Sequence, residues 1–193
     1  MCSSDLLLPG WTVGLEGYYR DVTDLHDEGQ YGSLPLYTIV NLKEGKIFGG
    51  EFTTSFRRPG LSTYLNVAYG DARGKGLATG ANLVEPETRV ALEKDFILLD
   101  HAQRWSGSAG AVAEWLDTRW QLSALYGSGL PRDAVKGTFM EPYLIVNLGA
   151  ARACEWPVIG AFEGRITVNN LLDTAYQLRS GESFGENAPA YGS

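Results

Sequence analysis

Positive charge is scarce in this chain. Sixteen Lys and Arg stand against 23 Asp and Glu, for a net charge of −7, and the cations gather into no patch. A nucleic-acid surface needs a basic stripe, so that class of partner is excluded. Cysteine is nearly missing: Cys2 and Cys154 form neither a metal-ligand spacing nor a disulfide framework, and Cys154 is read as a small packing residue. No run of about 20 apolar residues exists from which a membrane-crossing helix could be made, and no helical period of convincing length appears. The first residues, Met1-Cys2-Ser3-Ser4-Asp5-Leu6, lack the basic region and small-residue cleavage site of a secretory signal. They read as a translated vector or adapter scar ahead of an internal piece. At the other end Ala188-Pro189-Ala190-Tyr191-Gly192-Ser193 stops within a loop. The expected organisation is therefore a non-native or loop leader over residues 1–10 and one β-domain over residues 11–193, cut from a longer chain.

What the chain does have is glycine (24 residues), aromatic side chains (11%) and strict alternation. In residues 11–22, Trp11, Val13, Leu15, Gly17 and Tyr19 fall on one face, with Thr12, Gly14, Glu16, Tyr18 and Arg20 on the other. Residues 46–57 repeat this, Phe48, Phe52, Thr54 and Phe56 against Gly49, Glu51, Thr53, Ser55 and Arg57. After the Arg58-Pro59-Gly60 turn, residues 61–70 set Leu61, Thr63, Leu65, Val67 and Tyr69 against Ser62, Tyr64, Asn66 and Ala68. Further strands are predicted over residues 104–115, 119–126, 142–153 and 161–169. The connections alternate in length, with long ones expected at residues 23–35, 71–99, 127–141 and 181–193. Short turns at one rim and long loops at the other describe an up-and-down antiparallel meander. A Greek-key sandwich would distribute its loop lengths more evenly.

These strands exceed the usual globular five or six residues and approach the length a tilted strand needs to cross a bilayer. Trp105 and Trp115 bracket Gly107, Ala109, Ala111 and Ala113 on one face, as an interfacial aromatic girdle would. A mean hydropathy of −0.14 fits strands that are apolar on one side only. The core of a soluble sandwich or barrel would give the same alternation, and a small autonomous barrel or outer-membrane enzyme also stays open. Against the latter, about seven strands is an odd number, and single-chain bacterial barrels have even numbers.

Catalytic and metal chemistry find little support. His26, in Asp24-Leu25-His26-Asp27-Glu28, is read as part of a solvated loop. His101 beside Asp100 would need Ser106 on the same side, yet the two positions have opposite parity in a strand. The charged residues of the polar faces carry more information. Facing hydrocarbon, an Arg or Lys costs about 2–4 kcal/mol at the midplane. Parity therefore assigns Glu16, Arg20, Glu51, Arg57, Asn66, Arg104, Glu114, Glu163 and Arg165 to the lumen of a barrel, where ion pairs along the wall are the expected role.

Tyr126-Gly127-Ser128-Gly129-Leu130-Pro131-Arg132, between two alternating strands, resembles a segment of the C-terminal barrel of TonB-dependent outer-membrane receptors. Gly14-Leu15-Glu16-Gly17-Tyr18-Tyr19-Arg20 and Gly49-Gly50-Glu51-Phe52 are similar to that family's Gly-x-Glu strand pattern. Leu99-Asp100-His101-Ala102-Gln103-Arg104 resembles the entry to a late strand. Val168-Asn169-Asn170-Leu171-Leu172-Asp173-Thr174-Ala175-Tyr176 resembles the Asn-Leu-x-Asp-x-x-Tyr signature before the last strand, and Ala188-Pro189-Ala190-Tyr191-Gly192 the loop leading to it. The segments come in the family's order and cover nearly everything after residue 10.

The resemblance implies seven late strands of a large plugged barrel of about 22 strands, unclosed here and without plug or final strand. It makes Gly127, Ser128, Gly129, Leu130, Pro131, Asn170, Leu171, Asp173 and Tyr176 structural signature residues. It also implies a Gram-negative outer membrane, lipid around the barrel, and TonB reached only through an N-terminal region that is not in this sequence. The cargo would be a small molecule or metal chelate (ferric siderophore, cobalamin, haem or an oligosaccharide), taken up without enzymatic activity or cofactor.

Overall fold

A computed structural model of the chain describes residues 9–30, 37–80, 84, 86–99, 102–133, 135–158, 160–179 and 190–192. Its strands are β1 (Trp11–Gln30), β2 (Tyr37–Arg58), β3 (Leu61–Thr79), β4 (Ile97–Leu98), β5 (Trp105–Trp115), β6 (Thr118–Gly127), β7 (Pro131–Asp133), β8 (Thr138–Phe139), β9 (Tyr143–Trp156), β10 (Gly160–Val168), β11 (Tyr176–Arg179) and β12 (Ala190–Gly192), with one helix, α1 (Pro86–Lys94). Seven long strands form one antiparallel sheet in the order β1-β2-β3-β5-β6-β9-β10, and β4 adds to β3. β7 with β8 and β11 with β12 make separate two-stranded ribbons. The fold is the expected all-β meander, unclosed, with β1 and β10 at its edges. The long strands form one layer, and the second layer that a sandwich requires is not among the described residues.

Register carries the alternation from strand to strand. One rung joins Val13, Thr54, Leu65, Ala109, Ala124 and Val146; the next rung on that face joins Leu15, Phe52, Val67, Gly107, Tyr126 and Leu144. This face is apolar and open, with Leu15 78% and Ile166 73% exposed. Aromatic residues close it at both ends. Trp11 against Phe56 (ring centroids 5.5 Å apart), Trp115, Trp120 and Trp156 lie toward the short turns. Tyr19, Phe48, Tyr69, Trp105 and Tyr126 lie toward the long connections, with Tyr69 and Trp105 4.9 Å apart. On one strand the rows are eight to ten residues apart, about 26–33 Å of rise. At a tilt of about 40° they bound a band roughly 20–25 Å tall.

The turns have local causes. Leu116 and Asp117 both take positive φ (54° and 55°), the two-residue geometry whose twist matches that of the strands it joins. Gly60, at φ 73°, serves the Pro59-Gly60 turn.

Three strands run well past the expected limits. Residues 23–30 continue β1, β2 begins at Tyr37, and β3 reaches Thr79, so much of the first two long loops is strand. Beyond the outer aromatic row the strand extensions pack under a core and a charged layer, and simple alternation no longer marks a strand. Residues 71–99, expected as an irregular excursion, hold the end of β3, α1 and β4. Pro86 at the first helical position, Glu87 in the first turn and Lys94 in the last are ordinary helix signals. Here the molecule has its hydrophobic core: Val40, Leu42, Leu77, Val84, Leu92, Ile97, Leu98 and Leu99 are buried together, with Leu25, Ala102 and Phe139 against them.

The register makes a direct test. Val67 lies between Phe52 and Gly107 on the apolar face, and Asn66 between Thr53 and Ser108 on the other. In a membrane-inserted form of the sheet Val67→Arg should cost about 2–4 kcal/mol and abolish the heat-modifiable gel shift of a folded barrel, whereas Asn66→Arg should keep it. Equal shifts for both would refute this register.

Candidate functional site

The polar face of the sheet holds eight of the nine charged or polar candidates. Register places Glu16, Arg20, Glu51, Arg57, Asn66, Glu114, Glu163 and Arg165 on this one side. Glu16 and Glu51 are direct cross-strand partners. Toward the short turns Arg165 donates to Glu163 at 2.9 Å and Arg119 reaches the same carboxylate at 3.5 Å. These groups are about half exposed, and such pairs contribute roughly 0–1 kcal/mol each. Asn66 donates to Ser108 (3.1 Å) and Asn147 to Ser123 (3.3 Å), short polar rungs across neighbouring strands. The face is not uniformly polar, since Val112, Leu125 and Ile145 share it.

Arg104 departs from this set. It precedes β5 and accepts Gly70 N–H through its carbonyl, but its guanidinium turns to Asp71 (3.4 Å) and lies 4.8 Å from the Phe139 ring centroid. Asp71 is 1% exposed and is held more closely by Arg73, at 2.6 Å and 3.1 Å. The hydrogen bond to Asp71 raises the pKa of Arg73, outweighing its partial burial. A buried carboxylate between two guanidiniums is stable only as a paired charge. Here it ties β3, the start of β5 and the β7–β8 ribbon into one outer layer.

The family-like motifs meet at one residue that sequence reasoning passed over. Tyr143 begins β9, and its ring lies over Gly127, where any Cβ would collide with it. The same ring stacks on Tyr176 at 4.4 Å, and its hydroxyl points to Gln103 Oε1 at 3.5 Å. The Tyr126–Arg132 motif is thereby a joint. Ser128 exchanges two hydrogen bonds with Trp105, N–H to carbonyl and Oγ from N–H, both 2.9 Å. Gly129 turns at φ 83° against the Met140 carbonyl, Leu130 accepts Met140 N–H at 2.9 Å, and buried Pro131 opens the ribbon.

The second motif ends the ladder after β10. Asn170 and Asp173 both sit at φ 50°, a conformation Asn and Asp tolerate better than other residues with a side chain. Asn170 brackets the turn, its Oδ1 accepting Thr174 N–H (3.0 Å) and its Nδ2 donating to the Thr174 carbonyl (3.1 Å). The segment lies along β9: Asn170 N–H donates to Asn147 Oδ1 (2.8 Å), Leu171 N–H to the Val146 carbonyl (2.7 Å) and Thr174 Oγ1 to the Leu144 carbonyl (2.9 Å). These bonds satisfy a strand edge without a further strand.

His26 lies in β1 opposite Asn41. Asp100 and His101 fall outside the described residues, as does most of the expected terminal loop. Among the described residues no three His, Cys, Asp or Glu side chains gather in a metal-binding arrangement.

Residues 5–171 match the family model for the TonB dependent receptor-like beta-barrel. The chain belongs to the TonB-dependent receptor barrel family, an outer-membrane transport family of Gram-negative bacteria. No curated protein matches it.

Two measurements test these joints. Asn170→Ala should lower the stability of the intact receptor by about 1–2 kcal/mol, through two lost hydrogen bonds and backbone strain. Exposed Asn169→Ala should stay within ~0.5 kcal/mol in the same urea titration. In the ribbon, partial burial raises the pKa of Asp133, but the Lys136 N–H and ammonium and the Val135 N–H outweigh it and hold it below the usual carboxylate value. A carboxyl with a depressed folded pKa stabilises fully above its unfolded value, and loses this as pH falls through the folded one. Amide exchange at Val135, Lys136 and Gly137 should therefore, once corrected for intrinsic rate, lose protection below about pH 4 and hold it at neutral pH.

Proposed function

We propose that the chain is a late part of the barrel of a TonB-dependent receptor that actively takes up a scarce nutrient across the outer membrane. In this reading the polar face lines the lumen and meets the plug, and the long-connection end faces outward and captures cargo. The observation that carries the reading is an open apolar face bounded by two aromatic rows, with, among the described residues, a buried hydrophobic core beyond one of them. That asymmetry supports an orientation in which the elaborate end is the extracellular one. The outer layer pinned by Asp71, Arg73 and Arg104, beside the Tyr143–Tyr176 stack, is the place for cargo capture. The substrate class stays open among ferric siderophores, cobalamin, haem and oligosaccharides.

The test is uptake by cells that carry or lack the intact receptor, using labelled ferric siderophores, cobalamin, haem and maltodextrins in turn. One of these cargoes should enter only when both the receptor and TonB are present. Arg104→Ala should reduce that uptake at least 10-fold, because it removes a charged hydrogen-bonding group worth about 1.5–3 kcal/mol. Uptake that persists without TonB would refute active transport.

A further inference from the structure

Above the outer aromatic row, the apolar face becomes charged. The Tyr19–Phe48–Asp71 rung is followed on the same side by Asp21–Lys46–Arg73 and then by Thr23–Glu44–Lys75. At about 3.3 Å per residue these rungs lie roughly 7 Å and 13 Å along the strand from the aromatics. Tilt brings them to about 5 Å and 10 Å along the membrane normal. That is the depth of lipid head groups when the aromatic row marks the edge of the hydrocarbon.

Most of the acids in this patch are occupied. Asp21 accepts the Tyr19 hydroxyl at 2.9 Å, and Asp71 is held by Arg73. Lys46 and Lys75 behave differently. Their ammonium groups lie 4.6 Å and 5.6 Å from the centroid of one ring, Phe96, and neither makes an ion pair among the described residues. Phe96 is fixed from behind, by its N–H to Asp95 Oδ1 at 2.8 Å and by the pairing of Ile97 with Gly74 in β3. Glu44 faces Lys75 across the strands without pairing to it. Two like charges held around one ring repel each other, and a shared anion relieves that repulsion.

We propose that Lys46 and Lys75, arranged about Phe96, bind the phosphate of an anionic lipid head group in the leaflet facing the cell exterior. The proposal rests on the membrane orientation given above. The position selects the lipid as the source of phosphate, because the site opens on the side that carries the aromatic row.

The intact receptor, purified in non-ionic detergent, should retain phosphatidylglycerol in preference to phosphatidylcholine in native mass spectrometry. Each lysine near a charged surface contributes about 5-fold, so Lys46→Gln with Lys75→Gln should weaken retention ~30-fold. Lys46→Arg with Lys75→Arg should preserve it, and Glu44→Gln should strengthen it. Unchanged phosphatidylglycerol retention in the double Gln variant, with a normal heat-modifiable shift, would overturn the site. So would an unaffected Glu44→Gln variant. Displacement of the lipid by equimolar inorganic phosphate would overturn the lipid assignment. Lack of labelling of a Lys75→Cys variant by a membrane-impermeant maleimide on intact cells would instead refute the membrane orientation.

Discussion

Inside a bilayer no water is available to satisfy a backbone N–H or C=O, so every such group must find a partner in the protein. Between its two open edges, β1 and β10, the ladder β1-β2-β3-β5-β6-β9-β10 meets this demand, and the other features of the sheet follow from it. Antiparallel neighbours need tight hairpins at one rim, which Pro59-Gly60 and Leu116-Asp117 supply. Side chains must then alternate between hydrocarbon and polar surroundings, and the register keeps that alternation aligned over seven strands. Where the ladder stops, other donors take over. β4 pairs with β3 beyond the end of β5, and the Asn170–Thr174 turn covers the edge of β9 beyond β10.

The demand ends at the outer aromatic row, and so does the simple architecture. Beyond it the chain builds as a water-soluble protein does, with a helix, a two-residue strand and a leucine-rich core. Asp71 would be prohibitively costly in hydrocarbon, but at this boundary two guanidiniums pair it. The same boundary explains why Arg104, one residue from β5, does not behave as a residue of the sheet's polar face. It stands where the layer on top begins, and that layer claims its side chain.

Much of this was legible in the sequence. Period-two patterning gave the faces of Trp11, Val13, Leu15 and Tyr19, and of Phe48, Phe52 and Phe56, because a bilayer imposes one-sided polarity wherever a strand crosses it. Order and spacing of the Gly127–Pro131 and Asn170–Tyr176 segments pointed to the family. Strand length beyond the aromatic row was not legible, because there the leucine-rich core and a layer of ion pairs replace one-sided contact, and residues 71–79 (Asp71, Arg73, Gly74, Lys75, Gly76) carry no alternation. The helix was missed although Pro86, Glu87 and Lys94 mark it: nine residues are too few for a period to stand out from a Gly- and Glu-containing stretch. Tyr143 could not be singled out in advance, since its role depends on bringing Gly127 and Tyr176 together from distant parts of the chain.

The leucine-rich core has a consequence for the order in which the molecule forms. Its members come from residues 40–99, and water alone can drive them together. Among the described residues the later strands have no comparable interior, and their apolar face stays open. The hairpin of β2 and β3, tied by this core at its open end, opposite the Pro59-Gly60 turn, can therefore stand as a folded unit while later strands wait for the membrane. It would give them an edge on which to zip during insertion.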